Sequence, residues 1–270
     1  MDEAFDAWLR SFLTRMDLRW AAYRKKRKTV RKRLDARMRH LGLSSWQEYT
    51  NYLDENPRED LYLREVLAIT VSCFFRDPPL FAYLTEKVFP QIAAMNPSNP
   101  TAWSAGCASG QEAYTLAILW EDFRKAHSGL PPLKIIATDV DSASLRRARE
   151  GVYQRSELER VPEDVLAAYL VRVGETYRVK PEIQSCVRFS RRDLLQNAYP
   201  TSVHLILCRW SAFFYFGEHL QKKVLAGFSD CLEDGGHLVI GKRETLPPNW
   251  TRDFIPAEGR EDVFIRKPRT

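Results

Sequence analysis

The sequence has no run approaching the roughly 20 consecutive apolar residues of a membrane span, which removes a transmembrane helix from consideration. Its start, Met1-Asp2-Glu3-Ala4-Phe5, is acidic and places no basic segment ahead of an apolar stretch, so no secretory signal is expected. Together these absences point to a cytoplasmic location. Cysteine is scarce: Cys73, Cys107, Cys186, Cys208 and Cys231 are odd in number, widely spaced and form no CxxC pair. That weighs against a zinc or thioredoxin-like site and favours small, reduced, buried thiols. There is no internal repeat, low-complexity tract, Ser-His-Asp set or metal-ligating cluster.

The chain has 270 residues, 44% of them apolar, which is enough to bury a substantial core. Its net charge of +6 is unevenly spread. Between Arg19 and Arg39 eleven Lys or Arg residues accompany a single acid, Asp35, a bias that favours an anionic partner. Residues 1–80 read as an all-α domain. Phe5, Trp8, Leu9, Phe12 and Leu13 form one apolar stripe, and Val30, Leu34, Met38 and Leu41 form another on the basic segment. Gly42 is placed to stop that helix. Ser45 and Glu48 have capping-box spacing ahead of Trp46, Tyr49, Tyr52 and Leu53, and a further helix is expected from about Glu59 to Thr70.

Residues 81–100 read as a linker helix and junction, with the domain boundary expected at 97–100. From 101 to 270 the pattern becomes alternating strands and helices, which implies a mostly parallel sheet covered on both faces. Strands are expected at Thr101–Ala105, Leu133–Thr138, Val203–Cys208 and His237–Gly241. A helix from Leu220 to Cys231 should close at Asp234-Gly235-Gly236. Phe254-Ile255 and Val263-Phe264-Ile265 suggest an antiparallel pair.

Ligands of such sheets bind beyond the C-terminal ends of the strands. Three features fall there. The turn Ala105-Gly106-Cys107-Ala108-Ser109-Gly110 has residues small enough for backbone N–H groups to approach a ligand, although it is not the GxGxxG pattern. Asp139, ending the next strand, is suited either to a ribose diol or to helix capping, a role Asp141 could equally fill. Arg191-Arg192-Asp193-Leu194 is suited to an adenine edge. The combination indicates a nucleotide-like ligand without separating NAD from S-adenosylmethionine.

Phe74-Phe75-Arg76-Asp77, Trp103-Ser104-Ala105-Gly106-Cys107-Ala108-Ser109-Gly110-Gln111-Glu112, Ala137-Thr138-Asp139-Val140-Asp141 and Cys208-Arg209 with Tyr215-Phe216 closely resemble, in this order, the CheR family of chemotaxis receptor methyltransferases. Arg31-Lys32-Arg33-Leu34 and Leu41-Gly42-Leu43 extend the resemblance into the helical segment. It implies a Rossmann-like class I methyltransferase domain (α/β) with a small inserted antiparallel β-subdomain, at about 153–184 here, preceded by the all-α domain. The implied cofactor is S-adenosyl-L-methionine, leaving S-adenosyl-L-homocysteine, and the implied reaction is O-methylation of receptor glutamates.

By position, Thr70, Ser72 and Arg76 match residues at the methionine end of the cofactor, where Arg76 would clasp the carboxylate. Ala105 and Gly106 match the cofactor turn, Glu112 an acid near the ammonium, Asp139 the ribose acid, and Asp193 with Leu194 the adenine side. Arg209 and Trp210 belong to the Cys-Arg motif beside the cofactor, and Tyr215 matches a tyrosine near the methyl-transfer centre. Arg76 and Tyr215 are the expected catalytic pair.

The chain departs from the family at Trp210, usually Asn; at Gly241-Lys242-Arg243-Glu244, usually Gly-His-Ser-Glu; at Gly110-Gln111-Glu112-Ala113-Tyr114, usually Gly-Glu-Glu-Pro-Tyr; and at Thr70, commonly Asn. These changes fall mainly on the acceptor side. Arg24, Arg27, Lys28 and Arg31, at i, i+3, i+4, i+7, would dock an acidic helical cytoplasmic region of a chemoreceptor-like protein, or form a solvated face. A nucleic-acid methyltransferase is the second enzyme reading, but no RNA-binding signature accompanies the basic cluster and no nucleic-acid partner is expected. The alternative of another class is a degenerate CheR-like sensor or scaffold that binds S-adenosylmethionine without turnover.

Overall fold

The computed structural model describes residues 3–68, 72–196 and 199–269. The chain opens with helices α1 (Glu3–Arg15), α2 (Trp20–Tyr23), α3 (Arg27–Leu41), α4 (Trp46–Glu55) and α5 (Glu59–Leu67). The expected apolar stripes form their shared core: Phe5, Leu9, Phe12 and Leu13 of α1 pack with Val30, Leu34 and Met38 of α3. Gly42 ends α3 at φ 72°, a left-handed turn that glycine adopts without steric cost. Ser45 caps α4 by accepting the Glu48 N–H at 3.2 Å. The reciprocal half of the expected capping box shifts by one residue: the Glu48 carboxylate accepts the Ser44 N–H at 2.8 Å. Arg37 clasps buried Glu59 through two bonds of 2.8 and 2.6 Å, and the Tyr49 hydroxyl donates to the same carboxylate at 3.1 Å. This triad ties α3, α4 and α5 together.

The expected continuation of α5 to Thr70 lies outside the described residues. Helix α6 (Pro78–Tyr83), a π-helical turn (Leu84–Val88) and α7 (Phe89–Ala94) follow. Their apolar residues, including Leu80, Phe81, Leu84, Phe89 and Ile92, share one core cluster with the sheet that comes next.

The chain then runs through β1 (Thr101–Ala105), α8 (Gln111–Ala126), β2 (Lys134–Asp139), α9 (Ser142–Glu150), β3 (Val152–Gln154), α10 (Glu163–Tyr169), β4 (Leu170–Val173), β5 (Thr176–Val179), α11 (Pro181–Gln184), β6 (Val187–Arg191), β7 (Val203–Cys208), α12 (Ala212–Tyr215), α13 (Glu218–Cys231), β8 (Leu232–Ile240), β9 (Phe254–Pro256) and β10 (Val263–Arg266). Seven strands form one sheet in the order β6-β2-β1-β7-β8-β10-β9. The first five run parallel, and β10 pairs antiparallel with both β8 and β9. Strands β1 and β7 are buried on both faces, which explains their unbroken apolar character. The remaining strands make the expected antiparallel insert, β3-β5-β4. The fold is therefore the Rossmann-like arrangement with a small β-subdomain, behind an all-α domain.

One detail differs. Asp234-Gly235-Gly236 does not separate helix from strand; β8 already begins at Leu232. Pairing with β7 runs Val203 to Leu232, shifts, and resumes at Leu205 with His237. Gly235, at φ 78°, lets the extra residues bulge within the strand. Among the described residues no helix is long and apolar enough to cross a membrane.

Candidate active site

Strand order reverses between β1 and β7, so the loops after these strands diverge and leave a crevice at their carboxyl ends. A cavity of about 360 Å³ lies there. Its floor comes from the loops after β1, β2, β6 and β7. Its roof comes from the helical domain, through Leu18, Tyr23, Lys26 and Arg64.

The glycine turn forms one wall. The N–H groups of Gly106 and Cys107 both donate to the Thr138 carbonyl, at 2.8 and 3.0 Å, which carries the β1–β2 pairing into the turn. A Cβ on Gly106 would stand 2.6 Å from Ser211 Oγ, and its φ is 97°, so both space and backbone require glycine. The insert braces the turn from behind: buried Tyr153 donates from its hydroxyl to the Ser109 carbonyl at 2.6 Å.

Asp139 is 7% exposed at the end of β2. One oxygen accepts the Ala108 N–H at 2.8 Å and the other the Asp141 N–H at 2.9 Å. Burial raises its pKa above the ordinary value, against the pull of these N–H groups. Asp141 caps α9, accepting the Ala143 N–H at 3.0 Å, so the capping role belongs to Asp141 and leaves Asp139 facing the cavity. A carboxylate has about four acceptor positions, so Asp139 keeps capacity for hydroxyls.

Glu112 lies in the first turn of α8. It accepts from Ser104 Oγ at 2.8 Å and from Arg209 Nη1 at 3.1 Å. The Arg209 side chain is buried at the end of β7 and also donates to the Arg76 carbonyl at 3.1 Å and stands 3.7 Å from the Asp77 carboxylate. Arg209 is thus a strut joining β7, α8 and the Phe74–Asp77 turn. Phe75, Asp77, Ala108 and Trp210 all have positive φ (50°, 74°, 49° and 54°), a concentration of strained backbone around the cavity.

The Arg76 guanidinium lies 5.3 Å from the Trp210 ring centroid. Trp210 meets Phe214 edge-on at 5.6 Å, Phe214 meets Tyr215 at 5.0 Å, and Tyr215 meets Tyr23 of α2 at 5.1 Å. This aromatic file crosses from one domain to the other. Burial, then the nearby Glu244 carboxylate, pushes Tyr215 up to about 12, so its hydroxyl is neutral at pH 7. Glu244 itself is pushed up to about 7, chiefly by burial.

The roof is fastened at two seams. At one, Arg64 sits 3.3 Å from Asp193, and Glu65 accepts from Arg191 at 3.3 Å and from the Ser142 N–H at 3.1 Å. At the other, Asp17 accepts the Gly217 N–H on its carbonyl at 2.6 Å and the Leu220 N–H on its carboxylate at 2.9 Å, while the Arg19 N–H donates to the Tyr215 carbonyl at 2.8 Å. Asp17 therefore satisfies N–H groups at the start of α13.

Ser72, Arg76, Gly106, Glu112, Asp139, Asp193, Leu194, Arg209, Trp210 and Tyr215, all singled out in the sequence, line this one cavity. Ala105 is buried at the end of β1 and only leads into the turn. Thr70 lies outside the described residues. The basic face differs from the expected single stripe. Helix α3 starts at Arg27, so Arg24 sits in the preceding turn and the helical spacing does not run through it. Arg27 pairs with Asp6 at 3.4 Å, Arg31 lies 3.5 Å from Asp35, and Lys28 is exposed. Sequence reasoning missed Tyr23, Lys26 and Arg64, whose place in the cavity depends on domain packing, and Phe214, whose side chain carries no polar group to mark it.

Two family models match the chain: the CheR methyltransferase all-alpha domain over residues 23–67 and the CheR methyltransferase SAM binding domain over residues 70–263. An uncharacterized 104.1 kDa protein of Rhodobacter capsulatus is 34% identical over 220 residues, which are 81% of this chain but 23% of that protein. The chemotaxis protein methyltransferase of Borreliella burgdorferi is 28% identical over 86% of this chain and 84% of its own length. That of Listeria innocua is 34% identical over 67% of each. With both halves matched in order, and the cavity formed where they meet, the chain belongs to the CheR methyltransferase family.

Proposed function

We propose that the chain is an S-adenosylmethionine-dependent protein methyltransferase that esterifies glutamate side chains on an acidic helical cytoplasmic region of a chemoreceptor-like protein. The observation that carries this reading is the convergence of Asp139, Glu112, Asp193 and Arg76 on one cavity roofed by a basic helical domain. The donor set suits the cofactor. A zwitterionic adenosyl amino acid needs an acceptor for its ribose diol, an acid near its ammonium and a cation for its carboxylate. Asp139, Glu112 and Arg76 supply these in turn, with Asp193 and Leu194 on the adenine side. Buried Arg209 Nε, with no partner among the described residues, is a further unused donor at the wall. The volume falls within the range of about 300–1,000 Å³ usual for small-ligand sites.

The cofactor, when bound, supplies a methyl group on a sulfonium, already activated toward a nucleophile. An acceptor glutamate with a pKa of about 4.3 is already ionised at neutral pH, so no strong base is needed from the protein. Tyr215, neutral and raised to about 12, is suited to positioning the acceptor rather than deprotonating it. The aromatic file gives the transfer line an apolar wall. Alignment of two held reactants is worth roughly 7–11 kcal/mol, enough to make positioning the main catalytic device. Arg24, Arg27, Lys28 and Arg31 offer the acidic partner a basic surface next to the roof.

The test is transfer of radiolabelled methyl to receptor cytoplasmic helices, followed by mild base. Label released as methanol supports a glutamate ester. Base-stable label, or none, refutes it.

A further inference from the structure

Glu244 follows β8 on the loop Gly241-Lys242-Arg243-Glu244 and does not line the cavity, yet it is 7% exposed and heavily engaged. One carboxylate oxygen accepts the Trp210 N–H at 3.0 Å and also the Gly241 N–H. The other is buried with no partner among the described residues. Trp210 follows Arg209 at the end of β7, and its φ of 54° is a strained conformation for a bulky residue. Such a bend persists only where its surroundings hold it. The Glu244 carboxylate holds the amide at that bend.

The third part is Gly241. A Cβ there would stand 2.6 Å from Glu244 Oε2 and 3.0 Å from Trp210 Cε2. Only a residue without a side chain lets carboxylate, indole and strand end close together.

We propose that Glu244 is a positioning residue: its buried carboxylate latches the ends of β7 and β8, fixes the bend at Trp210, and so sets the aromatic wall of the cavity. The assignment rests on the methyl-transfer reading of that cavity. Trp210 carries the indole over which Arg76 lies and starts the file that reaches Tyr215 and Tyr23. A latch beneath it thus governs the wall without touching a ligand. Among the described residues, Arg209 just after β7, Cys208 of β7, Glu112 of α8 and Tyr215 of α12 are the titratable groups that interact with the latch.

The test compares wild type, Glu244→Gln and Glu244→Leu in two measurements. Backbone amide exchange at Trp210 and Gly241 reads the latch without any ligand, and calorimetry with S-adenosylhomocysteine reads the wall. A glutamine oxygen accepts the same two N–H groups. E244Q should keep slow exchange at both amides and an affinity within about threefold of wild type. E244L should speed both amides and weaken affinity by at least about tenfold, the equivalent of one lost buried hydrogen bond. If E244L fails to fold, Gly241→Ala, which crowds the carboxylate instead of removing it, should accelerate the Trp210 amide. Equal exchange in all variants, or wild-type affinity in E244L, overturns the proposal. Slow Trp210 and Gly241 amides in a wild-type chain with no affinity for S-adenosylhomocysteine would leave the latch standing and sink the methyl-transfer reading.

Discussion

Replacing Arg209 with methionine should cost the protein far more than an ordinary arginine would, and most of that loss should return when Glu112 is neutralised. The Arg209 side chain is 3% exposed and Glu112 15%, with Nη1 and Oε2 3.1 Å apart. At an effective dielectric of about 20, that separation corresponds to roughly 5 kcal/mol of attraction before desolvation is counted. Removing one partner of a buried pair typically costs about 3–5 kcal/mol, because the other charge stays buried and uncompensated. Among the described residues Glu112 would keep only the Ser104 hydroxyl as a donor. R209M should therefore lose about 3–5 kcal/mol in urea unfolding at pH 7. In R209M with Glu112→Gln, the buried charge is gone while the amide can still accept from Ser104, so the cycle should show about 2–3 kcal/mol of coupling. The m-value should not change. A coupling below about 0.5 kcal/mol would mean that the strut is decorative and that Glu112 is held by something else.

Glu244 titrates at about 7 in the folded chain against an ordinary 4.5. A raised carboxyl favours folding below 4.5, and that favour is lost as pH rises through 7, a window worth on the order of 3 kcal/mol. The stability of E244Q relative to wild type should therefore grow from pH 5 to pH 8 in thermal melts, and a pH-independent difference refutes the assignment. Gly106→Ala should lower S-adenosylhomocysteine affinity at least about tenfold by calorimetry, with partial recovery in the double variant with Ser211→Gly, because the added Cβ would stand 2.6 Å from Ser211 Oγ; a Kd unchanged in G106A, or no recovery in the double variant, refutes the close approach. Arg76→Lys should raise the cofactor KM more than it lowers kcat, because an ammonium does not reproduce a bidentate clasp; an unchanged KM removes Arg76 from cofactor binding. Lys28→Glu should weaken methylation of receptor helices while leaving S-adenosylhomocysteine affinity intact, and equal loss of both refutes a docking role.

The alternation of apolar strands and amphipathic helices made the sheet legible, because buried parallel strands must be apolar on both faces. On the polar side of the cavity, Asp139 and Asp193 were marked by their places after strands, whereas Glu112 was marked only by the family resemblance. What escaped was set by packing across long separations. Nothing local marks Tyr23 or Arg64 as cavity residues; they arrive because Asp17 and Arg64 find partners about 130–200 positions away. The break before α3 escaped because Arg24 to Arg31 has helical spacing whether or not the chain turns within it. The bulge in β8 escaped because Asp-Gly-Gly reads as a stop in sequence, whereas neighbouring strands can absorb it.

The seam at Asp17 bears on how relatives of this chain can exchange parts. The acidic residue after α1 satisfies the opening N–H groups of a helix roughly 200 positions later, and the same few residues press on the turn carrying Tyr215. A chimera that swaps the leading helical portion at the boundary between the two family models would separate that cap from the helix it completes. Recombinants should succeed where residues 17–26 and 213–220 travel from one parent, and inherit an open, poorly seated crevice where they do not.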